Sequence, residues 1–176
     1  MVPTGNAARE LYELASPCRL CPRECGALRG DGDVGECGVG LIPVVSSAGP
    51  HFGEEAELVG RGGSGTIFFA GCNLACVFCQ NYDISHLRDG RKVSVERVAE
   101  MMLGLERQGC ENINFVTPTH FAPAVAAAVE AARAQGLTVP IVYNSGGYDA
   151  VETLRLLDGY VDIYMPDAKY GPTPPQ

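Results

Sequence analysis

From residue 66 onward, short apolar runs alternate with amphipathic stretches, and this alternation constrains the fold more than any other feature of the chain. Residues 66–70 read as a strand. Residues 95–105 place Val95, Val98, Met101, Met102 and Leu105 at helical spacing, with Ser94 positioned to cap the helix and Gly109 just beyond its end. The pattern then repeats as a strand over 113–116, an Ala-rich helix over 122–134 closed by Gly136, a strand over 139–143, a helix over 151–157 and a strand over 161–165. A β-α-β-α-β-α-β series needs parallel strands joined by right-handed crossovers. The expected class is therefore α/β, as an open layer or an incomplete (β/α) barrel of about four strands. Residues 1–60 are rich in Gly, Pro and Cys and show little periodicity apart from a short helix over 7–15, so they read as a Cys-rich segment held by something other than a core. The expected division is 1–60 and 61–176. Beyond the fourth strand, Gly171-Pro-Thr-Pro-Pro-Gln176 does not continue a sheet easily, so the barrel is expected to be open and its core truncated at the carboxyl end.

Composition excludes several classes. A net charge of −8 with 13 scattered Lys and Arg offers no basic footprint for nucleic acid. No run approaches the ~18 apolar residues of a membrane span, and residues 1–14 lack the layout of a signal peptide. A cytoplasmic location is the expectation. In that compartment the eight cysteines point to metal ligation or catalysis rather than to disulfides.

Three of them form Cys72-Asn-Leu-Ala-Cys76-Val-Phe-Cys79, a C-x3-C-x2-C triad directly after the first predicted strand, at the carboxyl edge where α/β folds build their sites. Three thiolates hold three irons of a cubane cluster and leave the fourth iron open to a small molecule, a vacancy that electron-transfer clusters with four Cys do not have. Three of four zinc ligands, or three small buried residues, are the competing readings.

On this triad the chain resembles the radical S-adenosylmethionine (SAM) superfamily. It is similar in particular to proteins related to the pyruvate formate-lyase activating enzyme, and that similarity covers 18–170. Cys79-Gln-Asn-Tyr-Asp83 looks like the family's continuation of the cluster loop, and Asp167-Ala-Lys169 resembles the Asp-Leu-Lys that ends its fourth strand. The resemblance implies a [4Fe–4S] cluster on Cys72, Cys76 and Cys79, bound SAM, and an oxidoreductase-type enzyme that cleaves SAM to a 5′-deoxyadenosyl radical for hydrogen abstraction. It also implies an electron donor such as flavodoxin or ferredoxin, and a protein or small-molecule substrate. The residues it places around SAM are Phe78 beside adenine, Asn81, Asn144 and Ser145 in Tyr143-Asn-Ser-Gly-Gly-Tyr148, and Asp167 with Lys169, the latter a point charge for the SAM carboxylate. Asn144, Ser145, Met165 and Asp167 correspond to a small cation site, although Asn in place of the family's Asp removes one negative charge. The family's Gly-Gly-Glu at the end of the second strand is absent. Thr117, Thr119 and His120 of Val116-Thr-Pro-Thr-His-Phe121 stand there instead, and His120 reads as a SAM or substrate contact, a helix cap or a core residue.

The front segment carries Cys18, Cys21, Cys25 and Cys37 as C-x2-C-x3-C-x11-C, a count that suits structural zinc or an auxiliary iron–sulfur cluster. Cys110, alone at a helix end, reads as a small buried residue. The Gly-rich run 60–66 leads into a strand and lacks the Lys-Ser or Lys-Thr ending of a phosphate loop, so it reads as a close-approach turn beside the cluster. From a different class, a non-catalytic iron–sulfur electron-transfer protein explains the cysteines, but it has no use for polar strand ends.

Overall fold

The computed structural model describes residues 5–169; the 171–176 run lies outside them. The chain opens with α1 (Asn6–Leu14), followed by β1 (Val44–His51), the short α2 (Ala56–Val59), β2 (Ser64–Phe69), the short α3 (Tyr82–Ser85) and β3 (Arg91–Lys92). It continues through α4 (Val95–Arg107), β4 (Ile113–Val116), α5 (Ala122–Ala134), β5 (Ile141–Ser145), α6 (Val151–Leu156) and β6 (Ile163–Pro166). One six-stranded sheet runs β3-β1-β2-β4-β5-β6. The last four strands in that order are parallel, and β1 and β3 add an antiparallel edge. This is an α/β open sheet consistent with a partial (β/α) barrel, and it contains the four parallel strands expected from the alternation.

The helices form where the sequence supplies both a stripe and ends. Ser94 Oγ accepts the backbone N–H of Arg97 at 3.2 Å, which satisfies one of the free donors of the first turn of α4. Val98, Ala99, Met102 and Leu105 face inward at helical spacing. Helix α5 is buried along most of its length. Its Ala124, Val125, Ala128 and Val129 pack with α4 and the sheet, while Ala122 and Ala126 pack with Leu11 of α1 and Leu157 after α6. Small side chains on both flanks allow one helix to be approached from two sides.

The front segment differs from the sequence expectation. Residues 44–51 form an eight-residue strand that pairs with β2 from Val45↔Phe69 to His51↔Ser64, with a bulge between Val45 and Ser47. Ala8, Leu11 and Leu14 belong to a core cluster. The periodicity of β1 is obscured because only Val44 and Val45 are buried and the rest of the strand lies half-buried or exposed at the rim. The Gly-rich run does mark a close approach, but at the amino edge of the sheet, beside Cys110 and away from the triad. A Cβ on Gly62 would stand 1.7 Å from the Gly109 carbonyl, and one on Gly65 would stand 2.6 Å from that of Asn112.

The parallel register sorts the sheet into two faces. Ile67, Phe115 and Tyr143 stand level with one another on the helix-covered face. Phe68, Val116, Asn144 and Met165 form the matching row on the opposite face. Phe115 is fully buried and stacks on Phe69 with ring centroids 5.7 Å apart. Phe115→Ala is expected to cost about 3–5 kcal/mol in urea unfolding, whereas Val151→Ala on the exposed side of α6 stays within about 0.5 kcal/mol.

Candidate active site

The chain leaves β2 at Phe69 and turns through Gly71, whose φ of +82° and contact distance admit no side chain: a Cβ there would stand 2.7 Å from the Cys37 carbonyl. Two backbone bonds hold the turn. Gly71 N–H donates to Ile84 O at 2.8 Å and Cys72 N–H to Cys37 O at 3.3 Å. The loop then carries Cys72, Cys76 and Cys79 over the carboxyl edge, with Ala75 at φ +54° between the first two.

All three thiols line one cavity of about 680 Å³ on the uncovered face of the sheet. The strand-end residues expected at SAM, apart from Thr119 and His120, line the same cavity: Phe78 and Asn81 from the cluster loop, Thr117 after β4, Asn144 and Ser145 of β5, and Asp167 and Lys169 after β6. Met165 joins them. Thr117 has φ +56°, a rare conformation for a β-branched residue, and its N–H is held at 2.8 Å by the Asn144 carbonyl. Asp167 pairs with Lys169 and pushes the Lys169 ammonium above its ordinary value, so the cavity rim holds a firmly protonated cation.

Polar groups lie against the Cys72 and Cys79 sulfurs. Leu74 N–H donates to Cys72 Sγ at 3.4 Å, and Cys79 Sγ lies 3.2 Å from Ser85 Oγ, which in turn is 2.8 Å from His86 Nδ1. Hydrogen bonds of this kind tune the potential of a thiolate-held cluster. Among the described residues no three Cys, His, Asp or Glu side chains stand as the ligand shell of one metal ion. A cubane takes each thiolate on a different iron, so a triad need not converge on a point. Three thiols on the wall of an open cavity, with no fourth among the described residues that line it, fit a cluster with one free iron.

His120 lies elsewhere. It is 3% exposed, its Nε2–H donates to the Ala70 carbonyl at 3.0 Å, and it lines a separate small cavity with the front cysteines. Burial holds its pKa down to about 3, with a smaller contribution from the Arg29 guanidinium, so the ring is neutral. Of the readings open to it, the structure displays the buried, hydrogen-bonded one. Ser145 contributes less than its position suggests, because its hydroxyl donates to Asp149 Oδ2 at 2.6 Å.

Asp149 escaped the sequence reading. Its carboxylate also accepts from Thr119 Oγ1 at 2.6 Å and Tyr143 OH at 3.1 Å, tying the exits of β4 and β5 together. An acid following Gly-Gly-Tyr was the only signal. His51, Glu54 and Glu55 were likewise unassigned, yet they line the cavity from the end of β1 and the turn after it. Burial, and then the neighbouring Glu55, push the Glu54 carboxyl above its usual range.

The family model of the radical SAM superfamily matches residues 66–171, from β2 through the Asp167–Lys169 segment. The chain belongs to the radical SAM superfamily. Membership implies a [4Fe–4S] cluster and SAM, for which the cavity supplies three thiols and a polar wall. Among curated proteins, this radical SAM chain is 35% identical over 162 residues to the uncharacterized protein MJ0674 of Methanocaldococcus jannaschii. The match covers 88% of the chain and 46% of the relative, so the chain spans about half the length of that protein. No solved structure matches significantly. Among the described residues no helix is long and apolar enough to cross a membrane.

Asp149→Ala leaves three hydroxyls without their acceptor, on Thr119, Tyr143 and Ser145, all of them buried residues. At about 1–3 kcal/mol for each stranded hydroxyl, we expect it to lower unfolding free energy in urea by about 3 kcal/mol or more, against about 0.5–1.5 kcal/mol for Tyr143→Phe, which removes one donor.

Proposed function

We propose that this chain is the SAM-cleaving part of a radical SAM enzyme allied to the pyruvate formate-lyase activating enzymes, acting on a C–H bond of a protein or small-molecule substrate. The observation that carries the reading is that the triad and the polar strand ends share one cavity large enough for SAM. When bound, the cluster supplies one electron that splits SAM into methionine and a 5′-deoxyadenosyl radical, which takes a hydrogen atom from substrate. The electron comes from a donor such as flavodoxin or ferredoxin.

The chain's own groups bind and orient. Cys72, Cys76 and Cys79 would hold the cluster, with the hydrogen bonds that Cys72 makes with Leu74 and Cys79 with Ser85 orienting their sulfurs. Lys169, oriented by Asp167, presents an ammonium to the SAM carboxylate; Asn144 offers an amide beside it. Phe78, 63% exposed and free to present a flat face to the cavity, covers adenine, and Asn81 and Thr117 supply polar contacts. An electron carrier has no use for such a wall, and this favours the enzyme over the electron-transfer alternative.

Anaerobic reconstitution with iron and sulfide should give a reduced cluster whose electron paramagnetic resonance spectrum changes on adding SAM. Replacing any one of Cys72, Cys76 and Cys79 with Ala should abolish that response, because three ligands leave no redundancy. Lys169→Met should keep the cluster and weaken SAM binding by about tenfold or more, the worth of one charge-assisted contact. A cluster spectrum indifferent to SAM, with no 5′-deoxyadenosine formed under dithionite, would overturn the reading.

A further inference from the structure

Residues 18–40 fold around four thiols with little regular structure of their own. Their backbone closes a set of tight turns: Cys18 N–H donates to Ala27 O at 3.0 Å, Gly26 N–H to Cys18 O at 3.1 Å, Glu24 N–H to Cys21 O at 3.0 Å, and Gly38 N–H to Gly35 O at 2.8 Å. The turns bring Cys18, Cys21, Cys25 and Cys37 onto one small cavity. Cys25 Sγ and Cys37 Sγ lie 3.4 and 3.3 Å from the point where a Cβ on Gly35 would stand, so glycine leaves room for both sulfurs.

Two further groups face that cavity, both nine-tenths or more buried and both incompletely satisfied. Arg29 is 2% exposed; it donates from Nη2 to the Gly40 carbonyl at 2.5 Å and brings Nη1 to 3.9 Å from Cys18 Sγ, while its Nε has no partner. No ion pair between Arg29 and a carboxylate forms among the described residues. A guanidinium out of water demands compensation nearby: Arg29 lies over the Phe121 ring at 5.9 Å, and the groups lining its cavity that can supply negative charge are the four thiols and the exposed Glu36 carboxylate. His120 is the second group. A carbonyl only accepts, so the bond to Ala70 fixes the proton on Nε2 and leaves Nδ1 as an unprotonated, unpartnered lone pair.

We propose that Cys18, Cys21, Cys25 and Cys37 hold a metal centre of their own, distinct from the triad cluster, with Arg29 as its buried counter-charge and His120 closing its inner wall. Four thiolates and an imidazole lone pair select a thiophilic metal over a hard cation, and four thiolates around a zinc ion or a cubane keep net negative charge for Arg29 to balance. The sulfurs surround the cavity without forming the shell of one ion, so zinc and iron–sulfur share this chemistry and the metal analysis distinguishes them.

The centre also has a mechanical role, because its frame is the back of the triad loop. Cys37 itself accepts the Cys72 N–H at 3.3 Å. Arg23, between Cys21 and Cys25, donates to the carbonyls of Asn73 and Leu74. His120 holds the Ala70 carbonyl two residues before Cys72.

The test uses the whole chain with Cys72, Cys76 and Cys79 replaced together by Ala, so that its outcome is independent of SAM chemistry. Either about one zinc per chain, or iron and acid-labile sulfide in equal amounts, should remain bound, and the four front thiols should resist iodoacetamide until the metal is chelated. Adding Arg29→Met should speed metal loss to a chelator by about tenfold or more. Adding Cys37→Ser should abolish retention; if that variant fails to fold, the metal content of the parent still decides. A cooperatively folding parent with neither zinc nor iron, and four freely alkylated front thiols, would overturn the proposal.

Discussion

The parallel register of β2, β4, β5 and β6 is the constraint on which the rest of this molecule depends. With Ile67, Phe115 and Tyr143 level on one face, Phe68, Val116, Asn144 and Met165 are level on the other. A slip of one residue in any strand would carry its cavity-facing side chain into the helix layer and a core side chain into the cavity. Burial of Ile67, Phe115, Ile141 and their neighbours under α4 and α5 is what prevents the slip. The apolar face thereby positions the polar one.

That polar face is costly to maintain. Thr117 sits at positive φ, Asn144 places an amide on the sheet between Val116 and Met165, and the loop after β5 needs Gly147 at φ +72°, where a Cβ would stand 2.6 Å from the Asp167 carbonyl. Asp149 offsets part of this by collecting three buried hydroxyls on one carboxylate. The backbone helps too: Thr117 N–H bonds Asn144 O, and Asp167 N–H bonds Ser145 O at 2.9 Å, which couples each strand exit to its neighbour. Strain concentrated where strands end, within a frame that over-determines it, is the expected arrangement for a binding site.

Much of this was legible in the sequence, for physical reasons that also mark the limits. Strand β4 and helix α5 fall where periodicity put them, because a short run apolar but for Asn114 and an Ala-rich stretch ending at Gly136 admit few alternatives. Strand β5 lies two residues later than expected, since Pro140 and the polar Asn144-Ser145 blur its apolar signal. The triad, Phe78, Asn81, Asn144, Asp167 and Lys169 meet on one cavity as strand-end logic required. Strand β1 was hidden because a rim strand needs few buried residues, and with it went His51, Glu54 and Glu55. For His120, position after a strand does not choose among the open readings; following Pro118 and in the 3₁₀ turn Thr119–Phe121, the ring is buried and bonds the Ala70 carbonyl.

The antiparallel edge changes how the cavity is charged. Strand β4 ends in Val116-Thr117 without an acid, yet carboxylates still reach the cavity from two directions, Asp167 after β6 and the Glu54–Glu55 pair after β1. Asp167 is already paired with Lys169, so that end is close to neutral. Glu54 and Glu55 are adjacent, and burial with the Glu55 charge raises the Glu54 pKa against the smaller opposing pull of His51. The two ends of the cavity are thus electrostatically unlike, one held by an ion pair and the other acidic. The polarity originates in residues 51–55, outside the stretch matched by the family model, so the portion of the chain that defines the superfamily does not by itself determine the charge of the cavity it shares.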